Sequence, residues 1–92
     1  MIPADLLSFL QRRLRTAKDF KEIDSIYIYE TKPNYYYIYC LVSDHTDEVY
    51  EETIELEDQL LTKFPRITTM VHVRAHQGRD FSTLVPEDSV RV

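Results

Sequence analysis

Two runs rich in β-branched and aromatic residues, Ser25 to Glu30 and Tyr35 to Val42, stand on either side of Thr31-Lys32-Pro33-Asn34. The Pro and Asn between them suit a tight chain reversal, so the segment reads as an antiparallel hairpin. A hairpin alone is marginal in water and needs further elements to cover one of its faces.

The flanking sequence supplies them. Pro3 opens a segment in which Leu6, Leu10 and Leu14 recur at helical spacing with Leu7 beside them, while Gln11, Arg12 and Arg15 take the other side; a helix is expected over about residues 3–18. After the hairpin, Ser43, Asp44 and Thr46 are all suitable N-caps. Asp47 and Glu48 supply first-turn acids, and Val49, Thr53, Leu56, Leu60 and Phe64 follow at helical spacing until Pro65. Ile67 to His76 then alternates, with Ile67, Thr69, Val71, Val73 and Ala75 facing one way and Thr68, Met70, His72, Arg74 and His76 the other, which predicts a third strand. Residues 77–92 contain Gly78, the only glycine, and Pro86, and are expected to be mostly irregular, with Ser89 to Val92 available as an edge strand. The 92 residues therefore read as a single α+β domain of order α-β-β-α-β, a three- to four-stranded mixed sheet with two helices packed on one face. There is no internal repeat.

If the helices cover Ile26, Ile28, Ile38, Cys40, Val42, Val71 and Val73, the period of two assigns Tyr27, Tyr29, Tyr35, Tyr37, Tyr39, Met70, His72, Arg74 and His76 to the opposite face. A solvent-facing sheet more commonly shows Lys, Glu and Thr; aromatic area with polar tips is the composition enriched at protein interfaces. Three uses of this face compete. The tyrosines pack across strands under a tail folded over them. Alternatively, the face or an edge strand joins the chain to another protein, most simply a second copy. In the third, single-stranded nucleic acid stacks on the rings beside Arg74. A one-residue slip in the second strand would exchange Tyr35, Tyr37 and Tyr39 for Tyr36, Ile38 and Cys40, so the assignment depends on register.

The formal net charge of -5 argues against nucleic acid, since phosphate affinity rests on Lys and Arg. The charge is uneven. Residues 1–21 hold five basic side chains, Arg12, Arg13, Arg15, Lys18 and Lys21, against Asp5 and Asp19, a balance of +3. Residues 44–63 hold eight acids against Lys63, a balance of -7. Solvated surfaces or a pair of complementary docking surfaces both fit this pattern.

Little in the chain points to catalysis. One glycine excludes a P-loop, a Rossmann fingerprint and a Gly-x-Ser-x-Gly elbow, each of which needs at least two. Cys40, the only cysteine, falls on the face assigned to the helices; it offers no disulfide framework and no thiolate set for zinc, and it fits a reducing, cytoplasmic compartment. On a strand, His72 and His76 stand about 13 Å apart, too far to share a metal ion. If strands 2 and 3 are parallel, Asp44, His45, His76 and Asp80 would meet at the strand ends, where an acid/base or weak metal cluster of a small hydrolase or transferase would sit; Asp44 capping the helix beside solvated histidines is the plainer expectation. No metal site, cofactor, export signal or membrane anchor is expected.

The element order resembles the core of the minimal nucleotidyltransferases, including antitoxin-type members, in which a helix precedes two strands, a helix and a further strand. The resemblance covers most of the chain and implies a degenerate member: Glu30-Thr31 stands where that family has a Gly-Ser pair after the first strand, and Tyr35, Tyr36 and Tyr37 stand where it has paired metal-binding aspartates. The order is equally similar to a trimmed ferredoxin-like fold, whose members often dimerise through their sheets. The residues themselves favour a non-enzymatic interaction module, homodimeric through the aromatic sheet face or an edge strand.

Overall fold

The computed structural model describes residues 1–15 and 22–92. Helix α1 spans Ala4–Arg15, strand β1 Ile23–Lys32, strand β2 Tyr35–Val42, helix α2 Asp47–Lys63 and strand β3 Thr68–Ala75. A 3-10 turn at Phe81–Thr83 and a short strand β4 at Val90–Arg91 complete the order. Residues 16–18, expected to end the first helix, lie outside the described residues, as do Lys18, Asp19 and Lys21 of the N-terminal charge balance. Among the described residues, no helix is long and apolar enough to cross a membrane.

The strands form one mixed sheet in the order β3-β2-β1-β4. The hairpin is antiparallel, with Asn34 in the left-handed region at φ 69°, where Asn is tolerated better than most residues. β2 and β3 are parallel, and α2 carries the chain between them. β4 pairs with β1, setting Val90 opposite Ile28 and Arg91 opposite Tyr27, so the chain end does form an edge strand.

Two bulges make β1 longer than its alternation suggests. Ile23 faces Val42 and Ser25 faces Leu41, leaving Asp24 as the extra residue; a second irregularity falls between Glu30 and Lys32. A bulge shifts the side-chain phase and re-aims the extra residue, which is why the run reads from sequence as starting only at Ser25.

At α2, the cap is Thr46 rather than Asp44: the Val49 N–H donates to Thr46 Oγ1 at 3.2 Å. The Asp44 carboxylate instead accepts from the next backbone N–H, that of His45, at 2.9 Å. A cap of this kind contributes about 1 kcal/mol.

One buried cluster unites Leu6, Phe9 and Leu10 of α1, Val49, Leu56 and Leu60 of α2, and alternate residues of the hairpin: Ile26, Ile28, Tyr36, Ile38, Cys40 and Val42. Val71 and Val73 of β3 pack against it. This sets the register of β2: Tyr36, Ile38 and Cys40 lie inward, and Tyr35, Tyr37 and Tyr39 lie on the second face. Tyr36 reaches out of the core with its hydroxyl, which sits 2.9 Å from the Met1 carbonyl and 3.2 Å from Glu30 Oε2.

Candidate functional site

The second face carries Tyr27 and Tyr29 from β1, Tyr35, Tyr37 and Tyr39 from β2, and Met70, His72 and Arg74 from β3. Register brings them together: Tyr29 is opposite Tyr37, Tyr27 opposite Tyr39, Tyr37 beside Met70 and Tyr39 beside His72. The centre is an aromatic cluster. The His72 ring stacks on Tyr39 at 5.0 Å between centroids and meets Tyr37 edge-on at 4.9 Å, while Tyr37 and Tyr39 make an edge contact at 6.3 Å. The Arg74 guanidinium lies 5.7 Å from the Tyr39 ring, and the Lys32 ammonium 4.3 Å from Tyr35. Such ring pairs and cation contacts favour a fixed arrangement.

Exposure divides these residues. Tyr39 is buried, Tyr27, Tyr29, Tyr37 and His72 are half-buried, and Tyr35, Met70 and Arg74 are exposed. Met70 presents 51% of its surface, which is high for a flexible apolar side chain beside an aromatic cluster.

Part of the face is covered by the chain itself. Leu41 and Ser25 are fully buried yet do not belong to the main cluster. Arg91, paired with Tyr27, shares Tyr27's face, and its guanidinium lies 6.0 Å from the Tyr27 ring and 5.9 Å from the Phe81 ring. The 3-10 turn therefore sits on the second face beside Tyr27, and residues 77–89 carry the chain from the β3 edge to the β4 edge. The open part is the Tyr29, Tyr37, Met70 and His72 end.

His72 has an unusual setting: its Nε2 is buried and has no hydrogen-bond partner among the described residues. Burial, and then the nearby Arg74 charge, hold its imidazole below the ordinary histidine value. The linkage sign follows. Below about pH 6.5 the unfolded chain takes up a proton that folded His72 refuses, so its contribution is complete above that value and is lost as pH falls. The difference in urea midpoint between the wild type and His72→Gln should therefore shift against the wild type as pH drops from 8 to 5.5; parallel curves would show that His72 titrates normally.

Asp44, His45, His76 and Asp80 do not converge into one cluster. His76 Nε2 lies 2.7 Å from Asp24 Oδ2, the residue expelled by the β1 bulge, and the Ser43 hydroxyl donates to the same oxygen at 3.0 Å. On the other side of the ring, the Gly78 N–H donates to Nδ1 at 3.2 Å. With Nδ1 accepting, the proton sits on Nε2 and is donated to Asp24, so neither nitrogen is left to act as a base. The Phe81 ring packs 5.0 Å from the His76 ring, and Gly78, at φ +79°, makes the turn that the pairing requires. Asp80 accepts from the Ser82 N–H and hydroxyl, both at 3.0 Å, and caps the 3-10 turn. These residues fasten the tail. Among the described residues, no group of three or more His, Cys, Asp or Glu is placed to hold a metal ion.

Where the minimal nucleotidyltransferases have their Gly-Ser pair, Glu30 accepts from the Met1 amino group at 2.7 and 2.8 Å, and Thr31 Oγ1 donates to the Tyr35 carbonyl at 3.3 Å. The hydrogen bonds from that amino group hold the Glu30 carboxyl below its ordinary range.

Sequence reasoning did not single out Asp24, whose role depends on a bulge, or Leu41, which is fully buried outside the main cluster. A further apolar stripe also escaped it. Tyr50, Ile54 and Leu61 are exposed on α2, and their spacing of four and seven residues is the signal that would have found them.

No protein-family model matches the chain, and no curated protein or solved structure matches it either, so its function has to be argued from its own geometry.

Proposed function

We propose that this chain is a non-enzymatic protein-interaction module that forms a homodimer through the open end of its second sheet face. The observation that carries this reading is the exposed Met70, Tyr35 and Arg74 around the half-buried Tyr37 and His72 rings, an apolar and aromatic centre with a polar rim. A C2 contact needs a self-complementary patch, and one offering both guanidinium and aromatic faces satisfies that requirement by pairing Arg74 of one copy with the rings of the other.

A hydrolase or transferase built on Asp44, His45 and His76 is the alternative from a different class. It would need a free imidazole nitrogen on His76, and both are engaged. The buried free thiol of Cys40 accords with a reducing, cytoplasmic setting.

Light scattering across a hundredfold range of protein concentration tests the proposal. The wild type is expected at twice the monomer mass, and the double variant Tyr37→Ser with Arg74→Ser at the monomer mass with an unchanged circular-dichroism spectrum. A strict monomer at every concentration, or a double variant that dimerises as well as the wild type, would rule out this face.

A further inference from the structure

We propose that the outer edge of β3, together with the adjoining flank of α2, is a docking groove for an extended, positively charged segment of another protein, which adds as a strand to the sheet. This surface meets the second face at Met70 and Arg74 and extends from there along the β3 edge to α2.

The edge is open. β3 is the outermost strand on its side of the sheet. The N–H groups of Thr68 and His76 donate to the Asn34 and Val42 carbonyls at 2.8 and 2.9 Å, so the even-numbered positions of β3 bond to β2. In a parallel ladder the alternate residues then point their main-chain groups outward. Thr69 and Val71 thus present N–H and C=O groups, and Val73 an N–H group, that no described residue pairs; the Val73 carbonyl accepts from the Arg74 guanidinium at 3.3 Å. At the far end, the Arg79 guanidinium donates to the Ala75 carbonyl at 3.1 Å, confirming the outward direction of the odd positions and closing the edge there.

An eight-residue edge of this kind is a template for strand addition, and proteins usually blunt such edges with Pro, Lys or a bulge. β3 has none of these within Thr68–Ala75. Beside it, two depressions share Glu57 and Val71 and merge into one groove. One is lined by Leu61, Thr69 and Met70, the other by Tyr50, Thr53 and Val73. Tyr50 and Leu61 are each 68% exposed on its rim, so an added strand would find side-chain contacts as well as main-chain partners.

Charge selects the occupant. Asp47 and Glu57 line the groove, and α2 holds seven acidic residues against Lys63. A second copy pairing antiparallel along β3 would bring its own α2, with the same acids, against this one, and like charges there oppose association. A strand carrying Lys or Arg at alternate positions meets the opposite condition, and its ammonium or guanidinium groups would face Glu57 and Asp47.

The probes are two labelled octapeptides, one alternating valine with lysine and the other alternating valine with glutamate, followed by fluorescence anisotropy. The basic peptide is expected to bind at least about tenfold more tightly than the acidic one, and to slow hydrogen exchange at the Thr69, Val71 and Val73 amides. Val71→Pro removes an outward N–H without touching the ladder to β2 and should weaken binding about tenfold or more. The double variant Asp47→Lys with Glu57→Lys should invert the preference between peptides, and it decides the matter if Val71→Pro does not fold. Tyr37→Ser, on the second face and away from the edge, should bind the basic peptide as the wild type does, which separates this groove from the aromatic face. Equal binding of the two peptides, no binding of the basic one, or an unaltered preference in the charge-reversed variant would overturn the proposal.

Discussion

In the folded protein, Cys40 is expected to react with an aromatic disulfide reagent at pH 8 at least about a thousandfold more slowly than in the urea-unfolded chain. Two effects combine. Cys40 has no exposed surface, and burial, with smaller contributions from Glu57 and Glu52, pushes its thiol up to about 12. In the unfolded chain a thiol of ordinary pKa, about 8.5, is roughly a quarter thiolate at pH 8. Native-state labelling must then wait for opening, and a domain stable by about 5 kcal/mol exposes its core in fewer than one molecule in a thousand. Labelling should follow global unfolding and accelerate with urea. Rapid labelling without denaturant would place Cys40 on the opposite face of β2 and reverse the face assignment of every tyrosine in the strand.

The second large effect is expected at Leu41. Leu41→Ala should cost about 2–5 kcal/mol in urea unfolding, the range for truncating a buried leucine, although the residue lies outside the cluster formed with the helices. Leu41 lies on the second face, the side on which the Phe81 turn sits, and the start of that tail is fastened by His76 to Asp24. Loosening the fastening with Asp24→Asn should therefore reduce the further cost of Leu41→Ala, a coupling that a double-mutant cycle reads directly. A cost below about 0.5 kcal/mol, the level of an ordinary surface change, would mean that the tail does not cover this end of the sheet.

The bounds of β2, Tyr35 to Val42, were legible because an unbroken run of aromatic and apolar residues follows the Pro33-Asn34 reversal and stops at the polar Ser43-Asp44. The cap and Pro65 bounded α2 for a similarly local reason: the signals act on the backbone within one turn. The bulges in β1 were not legible, since an extra residue breaks the period that reveals a strand, and Ile23 and Asp24 were lost with it.

The candidate site follows the same division. That Tyr27, Tyr29, Tyr37, Tyr39, His72 and Arg74 share a face followed from the period of two once the pairing was correct. How much of that face stays open did not, because it depends on where the tail crosses. Likewise, the neighbouring ends of two parallel strands suggested an Asp44, His45, His76 and Asp80 cluster, but a bulge 52 residues from His76 delivered Asp24 instead. The sequence by itself determined the elements, their order and the two faces of the hairpin, because periodicity, caps and turns are written in neighbouring residues. Only the tertiary structure decided the burial of Leu41, the partner of His76 and the unpaired edge of β3. Each of these depends on which distant segments meet, and such meetings are selected by the packing of the whole chain rather than by any local pattern.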